Sequence, residues 1–156
     1  MSSPLRHRSS RRAFALVLAA CAVCALVLVA CTPAAEVPQE PVWGKQPCAH
    51  CQMVVATPDS TGQALAADGR RVWFDDLGCL VAWSLDAKPA PRKQWVREFG
   101  KPQWLVAETA RYEAGHETPM DFGFAARAAG AGVSWQDMTA AVQKKLAGRE
   151  QHHAHP

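Results

Sequence analysis

Beyond residue 31 the sequence has no second pair of closely spaced cysteines to join Cys48 and Cys51, no histidine directly after that pair, and no excess of basic charge. Each absence weighs against a function class. A structural zinc site commonly draws four N or S ligands from two spaced pairs. With Cys48 and Cys51 as the single such pair, zinc would have to recruit Cys79 and His116. Haem attachment needs C-x-x-C-H, and the residue after Cys51 is Gln52. A thioredoxin-like pair needs its C-x-x-C at a helix N-terminus, where the dipole lowers the thiol pKa, whereas QMVVAT after Cys51 reads as a strand. All fourteen acidic residues lie after residue 31, against thirteen of the seventeen basic ones, so that part of the chain carries −1. It lacks the basic footprint of a nucleic-acid-binding protein.

The N-terminus has the layout of an export signal. MSSPLRHRSSRR carries four arginines and no acid, and AFALVLAACAVCALVLVA has no charge at all, which matches a basic n-region and an apolar h-region. LVAC at residues 28–31 resembles a bacterial lipobox, in which cleavage precedes the cysteine and its thiol carries a diacylglyceryl group. Cys31 is therefore expected as the first mature residue and the lipidation site, with the protein anchored to a membrane and facing the periplasm. An uncleaved spanning helix is the alternative, since the run is long enough. SRRAF at 10–14 also resembles the twin-arginine motif, with Ala15 where Leu is usual. The expected organisation is a signal peptide at 1–30, a Pro-rich tether at 31–42, a body at 43–150 in two lobes of about 43–100 and 101–150, and a His-rich tail at 151–156.

The body holds three thiols, Cys48, Cys51 and Cys79. An odd number in an oxidising compartment asks for an explanation. Gln63–Ala67 and Arg70–Phe74 flank Asp68-Gly69 and predict a hairpin. Leu77, Leu80, Val81 and Leu85 then fall at helical spacing, with Asp75 or Asp76 placed to cap. After KPAPRK come strand-like QWVREF, QWLVAETARYE and DFGFAARA, then a helix from about Trp135 to Leu146 opened by the S-x-x-D signature of Ser134 and Asp137. Two hairpin-like pieces, each followed by a helix, predict an α+β fold with a loose duplication.

For PCAHCQM a Cys48–Cys51 disulfide, a redox pair, zinc and copper all remain open. Copper(I) suits the inventory: it is soft and takes two or three thiolate or thioether ligands. Cys51 and Met53, at i and i+2 of an extended segment, would point to one side, and Met120 in the Pro-rigidified TPM loop would add a third sulfur. Met138 reads as helix packing and Cys79 as a buried thiol. The tail holds three of the five histidines after residue 31, a composition that collects metal ions.

The lipobox, C-x-x-C-x-M at 48–53, WFDDLGCLVAW at 73–83, WVREF at 95–99 and TPMDFGF at 118–124, in this order, resemble the NosL family of nitrous oxide reductase accessory lipoproteins. The resemblance implies two small ββαβ lobes and a membrane-tethered periplasmic Cu(I) chaperone. It implies partners too: a copper donor, and an acceptor in nitrous oxide reductase and its maturation machinery, where copper enters the tetranuclear copper-sulfide centre. The family's Cys-x-Met falls on Cys51 and Met53, and its distal methionine on Met120. A histidine contributes in some members, and His50 and His116 are the candidates here. Cys48 would act as an auxiliary thiolate or as a disulfide partner of Cys51. Gln52 stands where the family often has glycine.

Overall fold

The structure, a computed structural model, describes residues 36–153. The expected signal peptide, the twin-arginine-like SRRAF, Cys31 and the end of the His-rich tail lie outside the described residues. Among the described residues no helix is long and apolar enough to cross a membrane.

The Asp68-Gly69 turn closes the first hairpin, β1 (Gly62–Leu65) and β2 (Arg71–Phe74), with Gly69 N–H donating to the Ala66 carbonyl at 3.0 Å. The chain then switches period into α1 (Leu77–Asp86), whose first turn is capped by Asp76, its side chain accepting from Gly78 N–H at 2.8 Å. It returns through β3 (Lys93–Arg97) beside β1, and β4 (Trp104–Val106) adds to β3, giving an antiparallel sheet of order β2-β1-β3-β4. QWLVAETARYE is thus divided: a 3-10 turn at Ala107–Thr109 breaks it, leaving β4 on the first sheet and β5 (Arg111–Ala114) to pair with β6 (Phe124–Arg127). The last helix, α2 (Trp135–His153), starts at the predicted box, where Asp137 N–H meets Ser134 Oγ at 3.2 Å and Ser134 N–H faces Asp137 Oδ2 at 3.4 Å. The Ser134 hydroxyl also donates to that carboxylate and holds its pKa below the usual range. The fold is α+β, and the hairpin-then-helix unit occurs twice.

Strand alternation separates the sheet's two faces. Ala64, Phe74 and Val96 lie under Leu77, Leu80 and Val81 of α1, and the core continues through Tyr112, Phe122 and Phe124 to Met138 and Val142 of α2. Each Val, Leu, Phe or Met side chain among them contributes about 1.5–3 kcal/mol by leaving water. The opposite face carries Gln63, whose register neighbours are Trp73 and Trp95. Residues 36–42, expected as tether, lie along this face. Gln39 and Gln63 exchange backbone-to-amide hydrogen bonds at 3.0 and 2.9 Å, Arg71 reaches the Val37 carbonyl at 2.7 Å, and Glu40 pairs with Arg97 and accepts from Trp104 Nε1. A buried glutamine needs such partners to offset its desolvation, and here the incoming chain provides them.

Candidate metal centre

Residues 44–55 form a narrow loop that doubles back. Gly44 N–H donates to Val55 O, Val55 N–H to Gln46 O, and Cys48 N–H to Met53 O at 2.7 Å, with Pro47 and Val54 as an isolated bridge. The expected extended strand through QMVVAT is therefore absent, and Cys51 and Met53 flank a tight turn instead. Gln52 closes it with φ +66°, a left-handed conformation that costs an L-residue roughly 1–2 kcal/mol. This is the physical reason for a glycine preference there. Ala49 N–H donates to the Trp73 carbonyl at 2.9 Å and fastens the turn to β2.

That fastening places the turn over the junction of β2 and α1. The Sγ atoms of Cys48, Cys51 and Cys79 and a carboxylate oxygen of Asp75 all lie within 4.8 Å of one another. Two bonds of about 2.3 Å reach across about 4.6 Å, so one soft ion bridges these donors with only side-chain adjustment. Cys48 and Cys79 are fully buried, Asp75 is 1% exposed, and Cys51 is half-buried and forms the opening to solvent. All three cysteines are free thiols. Cys79 sits in the first turn of α1, where the helix dipole favours negative charge.

Protons in the cluster are unevenly held. A hydrogen bond from the Cys79 thiol lowers the Cys48 pKa to about 6, against the opposing effect of burial. Desolvation pushes the Cys51 thiol up to about 12, and Cys51 Sγ donates to Asp75 Oδ1 at 3.3 Å. Cys79 is raised by the same bond that lowers Cys48, then by burial. Of the three thiols, Cys48 is therefore the one the cluster makes easiest to ionise. Asp75 Oδ2 is buried and has no hydrogen-bond partner, and Asp75 forms no ion pair among the described residues. A buried carboxylate oxygen left without donor or cation is costly. Beside three sulfurs it fits a cation.

The remaining predicted residues are distributed around this centre. Met53 is 46% exposed just past the turn, and His50 is exposed on it. Met120 is half-buried in a turn closed by Asp121 N–H donating to Thr118 O, and its own N–H donates to Asp76 Oδ2 at 3.0 Å. Asp76 thus ties the TPM loop to the start of α1, next to Asp75 and Cys79. Gly78 permits the approach, since a Cβ there would lie 1.9 Å from Phe122 Cγ. His116 stands apart from the cluster, its ring tilted 57° against Phe99 with centroids 4.6 Å apart, and it lies 3.6 Å from Glu113. Of the six predicted metal residues, Cys48 and Cys51 meet in the cluster. Asp75 and Cys79 complete it, and their signal in the sequence was the i, i+4 spacing across a helix start that also carries a cap.

A small α+β domain with a buried thiol and carboxylate cluster defines a metal-binding class of protein. Residues 39–130 match the NosL family model, and the chain belongs to the NosL family. Comparison with curated proteins and with solved structures gives no significant match. Family membership and the three-cysteine cluster together support a copper-binding protein.

Proposed function

We propose that this protein is a membrane-anchored, periplasmic Cu(I) chaperone that delivers copper for the maturation of nitrous oxide reductase, acting by ligand exchange and not as an enzyme. The observation that carries the reading is the convergence of three thiols on a buried carboxylate whose second oxygen has no partner, in a NosL chain. Thiolate sulfur selects Cu(I) over harder ions.

In this reading the ion is cargo. It meets Cys51 at the opening, and the S–H bond breaks as the S–Cu bond forms, the proton passing to the Asp75 oxygen that already accepts from it at 3.3 Å. Cys48, the most readily ionised of the three thiols, is the second ligand. Met53 beside the mouth and Met120 on the adjoining loop are neutral, weaker donors through which the ion leaves one bond at a time. Cys31, lipidated, keeps the carrier near a membrane donor. The test is an anaerobic Cu(I) competition titration of the reduced chain beside Cys51→Ser, Cys79→Ser, Met53→Leu and Met120→Leu. One ion bound tightly, and more weakly in both cysteine variants, is expected. Equal competition by Zn(II) for the same site would replace copper with a four-coordinate zinc reading, which the Cys3Asp set also satisfies.

A further inference from the structure

The end of the sheet opposite the thiols carries a surface that metal binding does not use. There Leu65 of β1 stands between Arg71 of β2 and Lys93 of β3. Arg70, Lys88 and Arg92 are exposed around them. Their acidic neighbours are Asp68, held by Arg70 at 2.7 Å, Glu36, held by Arg92, and Asp86. Five basic residues against three acids give this end +2, in a chain that carries −1 after residue 31. Apolar groups lie among the charges. Val37 is 52% and Leu85 37% exposed, and an open cleft is lined by Ala66, Ala67, Trp83, Ala87 and Pro89.

The chain also arrives here. Glu36 and Val37 bond to Arg92 and Arg71 at this end, and the following residues run across the sheet to Arg97 and Trp104. Five Cα steps separate Glu36 from Cys31, so the reach between them is at most about 18 Å. Arg71 and Asp75, at either end of β2, are four residues or about 13 Å apart. We infer that this basic, apolar-lined end docks on the anionic headgroup surface of a phospholipid bilayer and holds the Cys48, Cys51 and Cys79 cluster on the far side, open to a soluble partner. Arg and Lys side chains meet the phosphates, while Trp83 and Leu85 enter the headgroup layer. The orientation rests on the lipid anchor at Cys31; the surface chemistry does not.

Two experiments separate these dependences. In the first, the chain from residue 31 with Cys31→Ser is floated with vesicles of phosphatidylcholine alone or mixed with phosphatidylglycerol. Binding about tenfold stronger to the anionic vesicles at low salt is expected. It is lost in Lys88→Glu/Lys93→Glu and retained in Lys45→Glu/Lys144→Glu. Equal binding to both vesicles, or equal loss in both variants, overturns the surface. In the second, the lipidated chain on anionic vesicles is acylated at its amines. Lys88 and Lys93 are expected to react about fivefold more slowly than in detergent, with Lys45 and Lys144 unchanged. Uniform reactivity overturns the orientation. An N-terminal peptide whose mass lacks a diacylglyceryl group removes the anchor, and the first experiment still decides the surface.

Discussion

Replacing Asp75 with Asn tests the cluster most directly, because a structural and a metal-binding role predict opposite outcomes. In the metal-free protein the Asp75 carboxylate and the Cys48 thiolate lie within 4.8 Å of each other. At an effective dielectric constant of about 20 two such charges repel by about 3 kcal/mol. Asn is isosteric: its oxygen still accepts from Cys51, and its NH2 donates toward the Cys48 sulfur that the carboxylate oxygen repels. Reduced, metal-free Asp75→Asn should therefore be more stable by about 1–2 kcal/mol, a rise of about 4–8 °C in Tm for a domain of this size, read by anaerobic calorimetry at pH 7. The gain should shrink at pH 5, because the Cys48 thiol, lowered to about 6, is protonated there and the repulsion is gone. The same substitution should weaken Cu(I) binding about tenfold or more. A variant less stable than the parent refutes the reasoning, since Asp75 would then be a structural acceptor. So does a stabilised variant with unchanged copper affinity, since the carboxylate would then lie outside the site.

Three further outcomes follow from single observations. Gln52→Gly relieves the +66° φ at the turn, and after the entropy cost of glycine it should stabilise by about 0.5–1 kcal/mol; a lower denaturant midpoint contradicts this. Gly78→Ala places a methyl 1.9 Å from the Phe122 ring, so it should cost about 2–3 kcal/mol and weaken copper binding by displacing the TPM loop, whereas a neutral effect shows that the loop does not need this approach. The reduced metal-free protein should show a thiolate absorbance step near the Cys48 value of about 6, absent in Cys48→Ser and moved upward in Cys79→Ala, where the donated hydrogen bond is lost. A spectrum without thiolate below pH 8 speaks against the Cys79 to Cys48 bond.

What the sequence disclosed was local. The period change after Phe74, the Asp-Gly turn and the Ser134 and Asp137 box each encode an element through neighbours a few residues away, and the fold contains all three. The division of QWLVAETARYE between two sheets was not legible, because it depends on burial of Ala107 and Ala110 against residues distant in the chain. The strand expected after Cys51 failed for a related reason. Met53, Val54 and Val55 follow one another without polar alternation, and the loop's course is set by backbone bonds to Gln46 and Trp73 that no periodicity announces.

The centre shows the same division and explains it. C-x-x-C was legible as a sulfur pair, but a pair is only half of the cluster. The other half, Asp75 and Cys79, is hidden by serving two purposes: Asp75 stands beside the capping Asp76, and Cys79 lies in a buried helix turn where a small apolar residue would also fit. One cap therefore organises two segments. Asp76 fixes the first turn of α1 through Gly78, and with it Cys79, while its second oxygen holds Met120 of the TPM loop at 3.0 Å. The turn of Cys48 and Cys51 is attached separately, through Ala49 to β2. Loss of the Asp76 carboxylate should consequently move Cys79 and Met120 together and leave Cys48 and Cys51 in place, so Asp76→Ala should retain a two-thiol copper site of reduced affinity rather than abolish binding.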